Sequence, residues 1–286
     1  MDLINNIYQS VLDVNNPILT RENVLEILEK TERRFYFFII PAHITEIEVG
    51  AFSDVDTISL VIIKGKIKEI PSFCFDSCHN LKVVSIYTDT IEKINLNAFN
   101  NCIRLRYINL SDNIKYIGES AFFSCHQLDL KYLPDNLNYL GRNAFFQCKK
   151  ITLSHLPEGV KEIKEFTFQY CKSIKSFYLK SEVNIKNFAF SNCSNLGIFF
   201  GVLGQMKGRS IFMDNKETIF YLPDKHSKLN AIRANYWSIN KHKRLDKDLR
   251  DIISNIFFSL RIKNKIPNEI IMNIIKQINF VNFGNY

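Results

Sequence analysis

The chain has 286 residues, 46% of them hydrophobic and 23% charged, enough apolar material for one large or two modest domains. It contains no run of about 18 apolar residues, so a membrane-crossing helix is not expected. The formal net charge of +8 sits at one end: residues 207–286 carry 15 Lys and Arg against 7 Asp and Glu, while residues 1–206 are neutral. That distribution argues against a basic nucleic-acid-binding face on the body of the chain.

The first residues, Met1 to Asn6, lack a basic stretch followed by an apolar one, so no secretory signal is expected. Leu3, Ile4, Ile7, Val11 and Leu12 recur at helical spacing, and Asn15-Asn16-Pro17 breaks that pattern. Thr20 is placed to cap a second helix whose apolar stripe is Val24, Leu25 and Leu28. Residues 1–34 therefore read as an N-terminal helical cap on the body of the chain.

From about residue 35 the chain repeats itself. The core of the unit is A-F-x-x-C, as in Ala121-Phe122-Phe123-Ser124-Cys125. Its phenylalanine returns at Phe52, Phe75, Phe99, Phe122, Phe145, Phe168 and Phe190, in steps of 23, 24, 23, 23, 23 and 22 residues. A fixed period this short is the signature of a stacked solenoid. Each unit divides into two extended pieces, L-x-x-I-x-L (Leu105–Leu110) and I-x-x-I (Ile114–Ile117), separated by turn residues such as Ser111-Asp112-Asn113. Two extended pieces per turn predict two parallel sheets facing each other across an apolar core. The fourth and fifth units place Lys131 and Ser154 where an apolar residue belongs. Leu130 and Leu153, one position earlier, offer a substitute through a shifted strand.

Six of the seven cysteines (Cys78, Cys102, Cys125, Cys148, Cys171, Cys193) occupy one place in the unit, three residues after its phenylalanine; Val55 takes that place in the first copy. One cysteine per turn predicts an inward column of small apolar side chains rather than a metal site, since zinc ligands cluster in pairs two to four residues apart. Cys74 and Cys78 come closest to such a pair but lack a second one. His79 and His126 follow repeat cysteines, yet an inward thiol is inert, so a Cys–His dyad is not expected.

The repeated unit resembles the BspA-like leucine-rich repeats, whose units share the A-F-x-x-C core and the L-x-x-I-x-L strand. The resemblance spans residues 35–205 as a repeat array. It continues through Thr218–Pro223 to Tyr236-Trp237, similar to the segment that closes such arrays. It implies a β-rich solenoid, a BspA-type leucine-rich repeat array of about seven 23-residue repeats with helical N- and C-terminal caps. The C-terminal repeat cap would be residues 206–240, with Trp237 packed on the last repeat. Many bacterial members are surface proteins with secretion signals.

Residues 241–286 form a basic tail. Leu245, Leu249, Ile252, Ile253, Ile256, Phe257 and Leu260 make a helical stripe. Ile266, Pro267, Glu269, Ile270, Ile271 and Ile274 resemble the opening of an F-box, which in its family docks a Skp-type adaptor of a cullin ubiquitin ligase. The simpler reading of the tail is a helix pair packed on the end of the array, and it is the one preferred.

No catalytic constellation, phosphate loop or cofactor motif emerges, so an enzyme is not expected. What remains is a surface. Beside the inward residues of the first strand lie two outward rows, one of Val83, Tyr107, Leu130, Leu153, Ser176 and Ile198, the other of Ser85, Asn109, Tyr132, His155, Tyr178 and Phe200. These rows are aromatic and nearly free of charge, as interface centres are. The corresponding pairs of the second strand (Glu92-Lys93, Lys115-Tyr116, Asn138-Tyr139, Lys161-Glu162) read as an ordinary solvated face. The expectation is a non-enzymatic, monomeric scaffold that binds a protein partner through the aromatic row. A ubiquitin-ligase substrate receptor is the first alternative, and a surface or virion-associated adhesion protein the second. With no signal or span in sight the cytoplasm is expected, that of a host cell if the protein is viral.

Overall fold

The structure, a computed structural model, describes residues 2–31, 36–179, 183–200, 203–206, 209–215 and 218–221. The helical spacing at the start becomes α1 (Asp2–Val11) and α2 (Arg21–Lys30), with the short strand β1 (Ile18–Leu19) between them. Thr20 and Asn23 form a reciprocal capping box. The Asn23 N–H donates to the Thr20 hydroxyl at 3.2 Å, and the Thr20 N–H to the Asn23 amide oxygen at 3.1 Å.

The repeats then lay down strands in alternation. They are β2 (Phe37–Ile40), β3 (Glu46–Ile47), β4 (Leu60–Ile63), β5 (Glu69–Ile70), β6 (Val83–Ile86), β7 (Lys93–Ile94), β8 (Tyr107–Ile108) and β9 (Tyr116–Ile117). There follow β10 (Tyr139–Leu140), β11 (Glu162–Ile163), β12 (Ser176–Tyr178), β13 (Val183–Ile185), β14 (Ile198–Phe200), β15 (Leu203–Met206) and β16 (Ile219–Tyr221). All pairings are parallel. One side of the solenoid carries β2-β4-β6-β8 and then β12-β14-β16; the other carries β5-β7-β9-β10 and then β11-β13-β15. β1 extends the second side by pairing with β3, so the linker between the helices is drawn into the stack. Tyr8 of α1 covers the edge strand: its hydroxyl accepts the Ile39 N–H at 2.9 Å, and its ring meets Phe38 at 5.5 Å.

The first side is interrupted at the fourth and fifth units. In register with its neighbours, Lys131 would point into the core, where an unpaired ammonium is prohibitively costly. The chain gives up regular pairing instead. Lys131 is exposed, Leu130 turns in to 8% exposure and Leu153 to 0%. The substitution anticipated from the sequence therefore occurs. It also removes Leu130 and Leu153 from the outer face on which they were expected.

Between the sheets runs a column of phenylalanine rings. Phe52, Phe75, Phe99, Phe122, Phe145, Phe168 and Phe190 are fully buried, with successive centroids 4.8–5.8 Å apart. Phe38 closes the near end edge-on at 4.9 Å. At the far end Phe212, 22 residues beyond Phe190, stacks on it at 5.6 Å. The ring column thus runs one turn further than the seven copies expected, into the segment read as a cap.

The cysteines line a second column, and here the structure explains the residue type. Each repeat thiol donates to the carbonyl of the phenylalanine one turn back: Cys78 to Phe52, Cys102 to Phe75, Cys125 to Phe99, Cys148 to Phe122, Cys171 to Phe145 and Cys193 to Phe168, all at 3.0–3.1 Å. The position asks for a small apolar side chain with one donor, which is what cysteine offers. Both exceptions obey the rule. Val55 opens the series, where no preceding ring of the series presents a carbonyl. Asn215 closes it, and its amide donates to the Phe190 carbonyl at 2.8 Å.

The phenylalanine of each A-F-x-x-C segment is bracketed by two residues in the left-handed region, two positions before it and two after. Asn97 (φ 53°) and Asn101 (φ 57°) bracket Phe99; Phe166 (φ 59°) and Tyr170 (φ 62°) bracket Phe168. Asn and Ser fill many of these places at low cost, whereas aromatic residues there are held against their preference.

Candidate functional site

The outward side chains of the first side form two rows by strand register. One reads Phe37, Leu60, Val83, Tyr107; the other Ile39, Ile62, Ser85. All are half-buried except Tyr107, which is 52% exposed. The apolar surface therefore begins at the first strand, two turns before the rows expected from sequence. The continuous apolar runs Phe37–Ile40 and Leu60–Ile63 conceal their alternation, and only the observed pleat separates the two faces.

Beyond Tyr107 the second row carries the surface. Asn109 bridges its end of the ladder: its amide oxygen accepts the Ile86 N–H and its nitrogen donates to the Ile86 carbonyl, both at 2.7 Å. Tyr132, 63% exposed, tilts against His155 with centroids 6.0 Å apart. His155 stacks on Tyr178 at 5.0 Å, and its backbone bridges that residue in parallel. Phe200 follows Tyr178 in register, and Tyr221 follows Phe200. The side chains of Phe200 and Tyr221 lie outside the description. Tyr107, Tyr132, His155 and Tyr178 are thus brought onto one outer face, and Leu130 and Leu153 are not. In the first row beyond them, Ser176 and Ile198 are also buried.

The opposite side carries the expected charges, with Lys115 on Glu92 and Lys186 on Glu162, each at 3.1 Å. It is not purely a solvated face. Tyr116 stacks on Tyr139 at 4.4 Å, and the Lys164 ammonium lies 4.2 Å from the Tyr139 centroid and 2.9 Å from its hydroxyl. The Tyr139 hydroxyl holds the Lys164 ammonium above its usual range, and burial raises the Tyr116 phenol. The turns add a further stack, Phe123 on Phe146 at 4.6 Å. Neither was foreseen; both arise because equivalent positions of successive turns happen to carry rings.

The thiols are unsuited to nucleophilic work. Burial pushes Cys78 and Cys193 up to about 12 and the remaining cysteines in the same direction. His79 turns away from Cys78 chemistry, its Nδ1 standing 3.2 Å from an oxygen of Asp56. Among the described residues no group of His, Cys, Asp and Glu is arranged to hold a metal, and no helix is long and apolar enough to cross a membrane. Trp237 and the adaptor-docking candidates Ile266, Pro267, Glu269, Ile270, Ile271 and Ile274 lie outside the described residues.

A solved leucine-rich repeat protein of T. pallidum is 24% identical, with a TM-score of 0.53 over 56% of this chain and 78% of that one. A leucine-rich repeat protein from Bacteroides ovatus (21% identity, 64% of this chain and 63% of that one, TM-score 0.45) also matches. So does a leucine-rich cell surface protein from Faecalibacterium prausnitzii (19%, 68% and 70%, 0.46). The likeness of fold rests on the first. No curated protein matches the sequence. The family model for the BspA type leucine rich repeat region, in six copies, matches residues 31–152 and 127–233. With the ring column, the thiol column and two parallel sheets in place, the chain belongs to the BspA type leucine-rich repeat family.

Proposed function

We propose that this protein is a non-enzymatic binding module that captures a protein partner on the outer face of its first sheet side. The observation that carries the reading is the run of exposed and half-buried rings Tyr107, Tyr132, His155 and Tyr178, continuous with the apolar rows of β2, β4 and β6. Such a surface is rich in tyrosine and poor in charge, the composition found at interface centres. Extended surfaces of this kind are what stacked repeats offer to partners.

The test is capture from native extract by the full chain, read by mass spectrometry. A Tyr107→Ala, Tyr132→Ala, Tyr178→Ala triple variant loses the partner, and a Tyr116→Ala, Tyr139→Ala variant of the opposite side keeps it. Equal capture by the triple variant and the unaltered chain contradicts the proposal. A second reading, supported by the sequence Ile266–Ile275 alone, makes the tail a docking box for a Skp-type adaptor. Co-precipitation of such an adaptor by the full chain, lost on removing residues 262–286, is its expected result.

A further inference from the structure

Where α1 meets the first two strands of the array there is a cavity of about 390 Å³, within the range of small-molecule sites. Leu12, Val14, Ile39 and Pro41 give it apolar walls, and four polar side chains line it as well: Tyr8, Gln9, His43 and Lys64. The fold sets these side by side. Pro41 and Lys64 each follow directly on strands β2 and β4, whose last residues, Ile40 and Ile63, are register partners, and His43 lies in the turn leaving β2.

The polar groups are only partly used. His43 Nε2 is buried and has no hydrogen-bond partner, an uncommon state for a buried polar atom. The Tyr8 hydroxyl accepts the Ile39 N–H, and its own hydrogen finds no acceptor among the described residues. Burial pushes this phenol up to about 12, so it remains a donor at neutral pH. Lys64 forms no ion pair among the described residues and is the only charged one of the described residues that line the cavity.

We infer that this cavity binds a small amphipathic carboxylate, a medium-chain acyl acid whose chain lies against Leu12, Ile39 and Pro41 and whose head meets His43, Tyr8 and Lys64. The walls exclude a bare inorganic anion as the preferred ligand, because most of the lining would then face water. A lone cation with two unused polar groups disfavours an ammonium head and favours an acceptor bearing negative charge.

Isothermal titration of the full chain with octanoate tests this, with octanol, octylammonium and acetate as companion probes. Octanoate gives saturable one-site binding; octanol and octylammonium bind at least about tenfold more weakly, the order expected when a charge-assisted contact is lost. Lys64→Met and His43→Phe each weaken octanoate several-fold. Val14→Trp abolishes binding by filling the mouth, and since Val14 is 71% exposed the variant keeps its circular dichroism spectrum and melting temperature. Absence of saturable octanoate binding overturns the inference, as does equal binding of octanol or binding indifferent to Lys64→Met and Val14→Trp. Partner capture by the outer rings is a separate measurement, and its outcome does not bear on this one.

Discussion

Replacing Phe145 by alanine tests the ring column directly. The side chain is fully buried, and its ring lies 5.4 Å from Phe122 and 5.8 Å from Phe168, parallel to both within 2°. Burying a phenylalanine contributes about 1.5–3 kcal/mol, and each ring pair adds about 0.5–1.5. Two pairs bring the loss to about 2.5–6 kcal/mol, which brackets the ~3–5 usually seen for an emptied aromatic site. Because each turn contacts only its neighbours, the loss falls on two adjacent interfaces and splits the array near its middle. Urea unfolding followed by circular dichroism reads it as a lower midpoint, with a broadened transition if the halves separate. Phe145→Leu, which keeps most of the volume, costs less than half as much. Tyr132→Ala on the exposed surface stays within about 0.5 kcal/mol. A Phe145→Ala variant within about 1 kcal/mol of the parent chain would refute the packing argument.

The thiol column makes a pH prediction. Burial moves Cys78 and Cys193 from 9.0 to about 12, so above pH 9.0 the unfolded chain releases protons that the folded chain keeps. Stability is therefore whole below that pH and falls as pH rises toward 12, by about 1.4 kcal/mol per pH unit for each such thiol; flat urea midpoints over that window contradict it. For the same reason iodoacetamide at pH 8 leaves the cysteines of the native chain unlabelled and modifies all seven in denaturant. Asn109→Ala removes two bonds to Ile86 and costs about 2 kcal/mol, measured by thermal unfolding. Gly141→Val fails to accumulate as folded protein, since a Cβ there comes within 2.4 Å of the Gly118 backbone; a normal melting curve excludes the close approach.

The period, the inward rings and the thiols were legible because each is written several times in one place, and repetition averages away local noise. Four features were not. The turn around Phe212 has Ile211 and Asn215 where the pattern has alanine and cysteine; only its 22-residue step and its need for a donor betray it. The outer residues of β2 and β4 were hidden in uniformly apolar runs. Leu130 and Leu153 were placed on both faces at once by the sequence, as rescuers of the core and as members of the outer row. The cost of burying Lys131 decides between them, and pattern matching does not weigh such a cost. The cavity beside Tyr8 joins residues from a helix, a turn and two strands, and no spacing rule links those.

The thiol-to-carbonyl bond has an evolutionary corollary. Since every interior turn accepts from the next and donates to the last in the same way, a complete turn can be duplicated or excised without creating a new kind of junction. A single-residue change in length lacks that freedom. The chain carries three: an extra residue in the 24-residue step, between Ile86 and Ile91, with Tyr87 looped out to 73% exposure, and one residue fewer in each of the last two steps, to Phe190 and Phe212. Arrays of this type are thus expected to diverge in copy number far more readily than in the length of the copy.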